Sequence, residues 1–161
     1  MKAVPVWQPR ASMIFERAIV GDRQPYDYRK TFPHLQGERV VIVASRRFVR
    51  PDEVMDMLVE LNKGSPEYAR DRALPIFEKL SKAAKCQGVV PLGCALGTVA
   101  LDAPRYVEQP HREPGSDQMR AGYWLWPMRD PRPFAEPVPI RAERGIFDWA
   151  GPLPAFSEVA A

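Results

Sequence analysis

The sequence predicts one α+β domain built on a small mixed β-barrel, with a helix near the amino terminus and a helical insertion between strands. Two observations predict this class. The chain has 161 residues, which suits a single domain. Its 18 prolines and 10 glycines separate many short apolar stretches. Several short strands, few helices and many turns are typical of α+β domains with a small barrel. We assign the domain to residues 1–150 and a loosely held tail to 151–161.

The first fifty residues predict one helix, one buried strand and two short apolar or extended stretches. Residues 3–7 form a short apolar stretch, and residues 26–29 a short extended piece. Between Ser12 and Val20, the apolar side chains recur at helical spacing, and Gly21 follows as a helix stop. Residues 40–44 are a continuous apolar run, which is typical of a strand covered on both faces.

The insertion, residues 51–85, is predicted to be helical. Asp52 is a suitable helix cap, and Gly64 is a suitable stop. The Ser-Pro-Glu run at 65–67 signals a second helix start, and Pro75 is expected to divide that segment. About 35 residues are too few for an independent core, so we treat this segment as part of the same domain.

The remaining residues predict short strands. A polar loop is expected over 103–122. Strands are expected at 97–102, 123–126 and 137–140, and a short terminal element is expected at 145–149. A proline-rich turn over 130–133 is expected to separate the strands at 123–126 and 137–140.

Composition excludes several classes of protein. No apolar run approaches the roughly 20 residues that span a bilayer, and the amino terminus lacks the apolar stretch of a signal peptide. Cys86 and Cys94 are too few for a disulfide framework, and with only two histidines they make a poor metal set. We therefore expect free thiols, no metal, no cofactor, no membrane association and a cytoplasmic location.

Positive charge is concentrated in the first third of the chain. Residues 1–50 contain ten basic and four acidic residues, a net charge of +6, whereas the whole chain carries +3. A basic surface favours a polyanionic partner, because each neutralised phosphate releases condensed counterions. A solvated surface without a partner is the alternative explanation.

Five segments, in order, resemble motifs of the ASCH domain family, a PUA-like β-barrel family. Residues 8–12, Gln-Pro-Arg-Ala-Ser, resemble its Gln-Pro-Trp-Ala-Ser opening. The second segment resembles a family motif in which a lysine is followed in order by an acidic residue, an arginine and a Trp-Pro pair; the matching residues here are Asp27, Arg29 and Pro33. Two more segments, the predicted strands at 37–45 and 96–101, are similar to strands of the family. The fifth segment covers residues 124–147 and is similar to the last motif of the family; it begins with Trp-Leu-Trp-Pro-Met-Arg-Asp-Pro-Arg.

The chain departs from that pattern at four positions. The family's lysine falls on Gln24, its acidic residue is Asp27 instead of glutamate, the tryptophan of its opening is Arg10, and a late glycine is Ala142. These departures put the family's catalytic activity in doubt for this chain.

The resemblance implies a cleft beside the barrel that binds RNA, another single-stranded nucleic acid or a modified nucleoside. Arginine offers a planar fork for phosphate, lysine adds a mobile charge, and aromatic rings can stack on bases. We expect only one of Trp124 and Trp126 to be available, with the other facing the core. The candidate binding residues are Gln8, Arg10, Asp27, Arg29, Lys30, Ser45, Arg46 and Trp124.

Two other classes of function remain open. Relatives that hydrolyse acetylated cytidine use a lysine, a threonine and a glutamate, for which Lys30, Thr31 and Asp102 are the available substitutes. A ribonuclease using Asp27, Arg29 and Lys30 is a variant of this enzymatic hypothesis. A protein-interaction module that docks through residues 51–85 is the third class.

Overall fold

The computed structural model describes residues 1–19, 24–30, 34–83, 86–108, 122–141 and 145–158. None of the described helices is long and apolar enough to cross a membrane. In chain order, the described elements are β1 (Lys2–Val6), α1 (Arg10–Phe15), β2 (Tyr26–Arg29), β3 (Arg39–Ala44), α2 (Pro51–Asn62), α3 (Arg70–Lys82), β4 (Cys94–Leu101), β5 (Arg105–Val107), β6 (Tyr123–Pro139) and β7 (Phe147–Asp148).

The strands form one curled, open sheet that resembles half of a barrel. Its order is β2-β6-β4-β3-β1-β7, and β5 pairs with β6 beside this path. The β1–β3 pair is parallel, and the other pairs are antiparallel. The α+β class with a small barrel-like sheet is therefore confirmed. Helices α2 and α3 lie between β3 and β4 in the chain, as the predicted insertion requires.

The two ends of this sheet approach each other without strand pairing. β7 pairs only with Lys2 and Ala3, which leaves the rest of that edge of β1 open. Across the gap, the Arg29 guanidinium of β2 donates to the Pro5 carbonyl of β1. Nε of Arg10, at the start of α1, lies 3.4 Å from the Tyr26 carbonyl oxygen. We call this side-chain closure between β2 and the β1–α1 segment the seam.

The central strand β3 is buried on both faces, as its apolar run predicts. Val40 and Ile42 belong to the main core cluster, which lies on the α1 side of the sheet. Val41 and Val43 belong to a second cluster, around Phe134. Each buried side chain of this size contributes roughly 1.5–3 kcal/mol to folding, so β3 anchors both layers.

The helix α2 begins two residues earlier than predicted. Arg50 is its N-cap, and Pro51 occupies the first turn, where a missing N–H costs nothing. The Arg50 backbone N–H donates to Glu53 Oε2 at 3.0 Å. Asp52 is therefore a first-turn residue and not the cap; its charge still suits the helix N-terminus.

The second helix of the insertion differs from the prediction in two ways. It begins at Arg70, because Tyr68 pairs with Ile19 in an isolated bridge and the Ala69 N–H donates to the Ala18 carbonyl at 3.0 Å. It then runs through Pro75 without a break. Pro75 lies on an exposed face, and the carbonyl that loses its helical partner, that of Asp71, is also in an exposed residue. The expected division at Pro75 is wrong.

The two strands expected at 123–126 and 137–140 are parts of one 17-residue strand, β6. Asp130 adopts a positive φ of 47° at the expected turn, and the register with β4 shifts between Thr98 and Ala100. The chain therefore bends here without leaving the sheet. Prolines are tolerated because β4 pairs with only one edge of this half of β6.

The described residues after 150 contact β6. The Ala135 N–H donates to the Ala155 carbonyl at 2.8 Å, and the Ser157 N–H donates to the Pro133 carbonyl at 2.9 Å. Phe156 also packs against Phe134. The described part of the tail thus covers the free edge of β6.

Candidate nucleic-acid interface

Asp27 is the centre of the seam. Only 8% of the Asp27 surface is exposed. Its Oδ2 lies 2.7 Å from Arg29 Nε, and its Oδ1 lies 3.6 Å from Arg10 Nε. The structure therefore brings together three of the residues predicted for the cleft.

This network also stabilises the fold. Arg10 follows β1, Asp27 and Arg29 belong to β2, and Arg29 donates to Pro5 on β1. A buried carboxylate that loses a charged partner destabilises a protein strongly, because its desolvation is no longer compensated. Asp27 holds the Arg29 guanidinium in place, and through the Arg29–Pro5 contact the same pair ties the two ends of the sheet together.

Aromatic rings surround the two guanidinium groups. The Arg10 guanidinium lies 4.7 Å from the Tyr26 ring centre and 5.6 Å from that of Tyr28. The Arg29 guanidinium lies 5.9 Å from the Trp126 ring centre. Burial raises the pKa of Tyr26 far above its usual value, and its hydroxyl is hydrogen-bonded to Glu67. Tyr26 is therefore a protonated, structural side chain.

Trp124 and Trp126 lie on the same face of β6, opposite Arg29 and Asp27 respectively. They share a face because residues two apart in a strand point to the same side of the sheet. As expected, only one of the two is buried in the core. Trp126 is 3% exposed, whereas Trp124 is partly buried. Trp124 meets Tyr106 edge to face at 5.2 Å, and Tyr106 is 53% exposed.

Gln8 is a structural residue at the end of β1. Its amide nitrogen donates to the Ser12 hydroxyl at 2.9 Å and to the Pro91 carbonyl at 2.8 Å. Its amide oxygen accepts from the Ser12 N–H at 3.0 Å. Both groups of the amide are thus used in positioning α1 against the loop at Pro91.

Ser45 follows β3 at the same end of the sheet. Its N–H donates to the Val6 carbonyl at 2.9 Å, which extends the β1–β3 pairing. Its hydroxyl oxygen is buried and has no hydrogen-bond partner within the described part of the chain. Within the described residues, this hydroxyl therefore lacks the partners that both groups of the Gln8 amide have.

Aromatic and basic side chains follow Ser45 along the chain, and Trp7 of the segment after β1 packs against one of them. Trp7 is 48% exposed, and the Arg47 guanidinium lies 4.4 Å from its ring centre. Arg46 is exposed and donates to the Ile140 carbonyl at 3.3 Å. Phe48 is also exposed. We call Trp7, Arg46, Arg47 and Phe48 the rim platform. The sequence did not single out Phe48, because exposure of one aromatic side chain leaves no periodic signal.

The two described residues weighed for an amidohydrolase, Lys30 and Asp102, are not gathered at one place. The exposed Lys30 lies beside Tyr123, with 5.7 Å between its ammonium and the ring centre. Asp102 lies at the level of Pro127, to which its N–H donates, and its carboxylate is paired with Arg129 at 3.0 Å. Tyr123 and Pro127 are four residues apart on β6, which corresponds to about 13 Å along the strand, so the backbone positions of Lys30 and Asp102 lie at different levels of the sheet. Thr31 lies outside the described residues.

Gln24, at the position of the family's lysine, lines a different cavity, of about 490 Å³, together with Arg17 and Arg72. The two cysteines are free thiols, as expected, and burial raises the pKa of Cys86. Neither feature adds a reactive group to the seam.

Comparison with known proteins adds no relative to this description. The sequence matches no protein-family model, and no curated protein is significantly similar to it.

Proposed function

We propose that this protein is an ASCH-like, PUA-like domain that binds RNA, single-stranded or structured, or a modified nucleotide, along the seam and the rim platform. The five ordered sequence motifs and the half-barrel with its seam support the proposal. Three of the motif residues, Arg10, Asp27 and Arg29, meet at one point.

One observation carries the proposal: two buried groups that can donate a hydrogen bond, one in the seam and one after β3, have no partner within the described residues. Trp126 Nε1 is buried under the Arg29 guanidinium and has no acceptor among the described residues. The Ser45 hydroxyl is likewise buried without a partner there. A buried donor without an acceptor is costly, so an acceptor supplied by a ligand would stabilise this arrangement. Phosphates and nucleobase carbonyls are acceptors of that kind.

The rim platform supplies the other half of a nucleotide site. Trp7 presents an exposed ring, and base stacking on such a ring contributes about 1–3 kcal/mol. Arg46 of this platform is an exposed cation, as is Lys30, which directly follows β2 outside the platform; phosphates can be neutralised on both. RNA recognition commonly combines stacked, unpaired bases with such contacts.

Binding is favoured over hydrolysis by the placement of the candidate catalytic groups. An amidohydrolase needs a nucleophile or base within hydrogen-bonding reach of its proton partner. Lys30 and Asp102 lie at different levels of β6, and Asp102 is occupied by Arg129.

Fluorescence anisotropy with short single-stranded RNA and DNA, at two salt concentrations, tests the proposal. We expect saturable binding that prefers RNA and weakens as salt rises. Lys30→Ala and Arg46→Ala should each weaken binding several-fold and lower the salt dependence. Lys82→Ala, an exposed lysine at the end of α3, is the matched control and should bind like the wild type. Absence of binding at low salt, or equal losses in all three variants, would contradict the proposal.

A further inference from the structure

A second cavity lies outside the seam, between α1, α3 and residues 89–91. Its volume is about 690 Å³. One part of its wall is apolar: Phe15, Pro75, Ile76, Val89, Val90 and Pro91. The other part carries three cations, Arg17, Arg72 and Lys79, together with the hydroxyl of Ser12 and one carboxylate, Glu16. We call it the α1–α3 cavity.

The cations of this cavity are weakly compensated. Within the described residues, the side chains of Arg17 and Lys79 make no hydrogen bond or ion pair. Arg72 has one distant contact, 3.9 Å from Arg72 Nε to Asp71 Oδ2. All three residues are exposed. The cavity therefore combines a positive rim with an apolar wall.

Arg17 occupies a backbone position that favours glycine. Its φ is +51°. It directly follows the end of α1, where the Ala18 N–H donates to the Met13 carbonyl at 2.9 Å and the Arg17 N–H to the Ile14 carbonyl at 3.4 Å. This is the Schellman pattern, whose left-handed residue is usually glycine because a Cβ is unfavourable there. Strained residues of this kind cluster at binding sites.

Arg17 is also one of two residues that the α1–α3 cavity shares with the neighbouring 490 Å³ cavity; the other is Arg72. An arginine at a glycine position thus projects a cation to the junction of two concave surfaces. The stability of α1 does not account for this residue, since glycine would satisfy the same turn at lower cost.

We propose that the α1–α3 cavity binds a small organic phosphate monoester with an apolar or aromatic body. Its phosphate meets Arg17, Arg72 and Lys79, and its body lies on the apolar wall. A pair of guanidinium groups suits phosphate oxygens through paired N–H donors. The volume lies within the range of small-molecule sites and exceeds that of inorganic phosphate, so the body is needed to fill it. This site is separate from the seam and does not depend on the proposed function.

Titration with naphthyl phosphate, followed by its own fluorescence anisotropy, tests the site. Naphthol and inorganic phosphate separate the contributions of the body and the anion. We expect saturable binding of naphthyl phosphate that is at least about tenfold tighter than that of either fragment, because each charged hydrogen bond contributes enough for a tenfold change.

Arg17→Gly is the decisive variant. It should weaken naphthyl phosphate binding at least about tenfold while its melting temperature does not fall, because glycine suits the backbone at this position. Lys82→Ala, on the same helix but outside the cavity wall, and Trp7→Ala, on the rim platform, should bind naphthyl phosphate like the wild type. No saturable binding, unchanged affinity in Arg17→Gly, or a loss in Trp7→Ala would overturn the proposal.

Discussion

The two ends of helix α1 carry arginines in opposite circumstances. Arg10, at its start, has a side chain that is only 11% exposed and lies against Asp27 and two tyrosine rings in the seam. Arg17, just past its end, is exposed, and within the described residues its side chain has no partner. A guanidinium that is buried against a carboxylate stabilises the fold. One that is exposed on a strained backbone contributes nothing to folding and is available to a ligand.

The largest effect is expected from the seam. Arg29→Ala removes the contact to Asp27 and the link to Pro5, while Arg10 remains as a partner for the carboxylate. We expect a loss of about 2–3 kcal/mol in the free energy of unfolding, below the range for a fully broken buried pair. Urea denaturation measures it.

Arg132→Ala is the matched control for this variant. Arg132 is an exposed arginine whose guanidinium is paired with Asp130. Exposed pairs of this kind contribute at most about 1 kcal/mol. Equal losses in the two variants would contradict the structural role of the seam.

The rim platform is expected to affect binding without affecting stability. Trp7→Ala removes the exposed ring and should weaken single-stranded RNA binding by about 1–3 kcal/mol, the contribution of one stacked base. Met55→Ala removes an exposed apolar side chain on α2 and serves as the control. Anisotropy and thermal unfolding are measured on both. A fall in melting temperature for Trp7→Ala that explains its loss of binding would make Trp7 a structural residue.

The ends of α1 should respond in opposite directions to loss of the arginine. Arg17→Gly relieves a left-handed backbone and should raise the free energy of unfolding by about 1 kcal/mol. Arg10→Ala should lower it, because the seam loses a partner for Asp27 and the ring contacts. Chemical denaturation compares the two. Destabilisation by Arg17→Gly would show that the Arg17 side chain has a structural role.

The smallest effect is expected at Asp130, where charge rather than packing is involved. Hydrogen bonds from Arg132 and, secondarily, Arg39 hold the pKa of Asp130 below its ordinary value of 3.8, against the opposing effect of burial. A lowered pKa gives a stabilisation that is present above the unfolded-state value and is lost as the pH falls through the folded-state value. In the Asp130→Asn variant, the free energy of unfolding should therefore fall less steeply as the pH drops below about 4. The substitution should leave the stability loss caused by Arg29→Ala unchanged. Equal slopes in the variant and wild type would contradict this assignment.

The sequence was most informative where one physical signal dominated. The apolar run of β3 predicted a strand buried on both faces because no polar residue interrupts it. It was least informative where a proline or a start signal competed with tertiary contacts. Pro75 does not break α3, since the carbonyl that loses its partner is in an exposed residue. The prolines of β6 indicated a turn, but a bend at Asp130 and one free edge keep the strand continuous.

The candidate site shows the same division. Arg10, Asp27 and Arg29 were chosen from the motif and do meet in the seam. Gln8 was chosen with them, but its amide is fully used in holding α1, a role that depends on Pro91 and thus on distant sequence. The α1–α3 cavity was not foreseen, because Arg17, Arg72 and Lys79 form no motif and are brought together only by packing of the insertion against α1.

The most direct test of the seam as the binding site is a two-dimensional NMR spectrum of the four indole N–H groups during titration with short single-stranded RNA. Trp126 and Trp149 are matched, since each has a buried Nε1 without an acceptor in the described part of the chain. Trp126 lies in the seam, whereas Trp149 packs against Phe134 in the second core cluster. We predict that the Trp7, Trp124 and Trp126 signals shift with saturation and that the Trp149 signal does not. A shift confined to Trp149, or no shift at saturating RNA, would contradict the account.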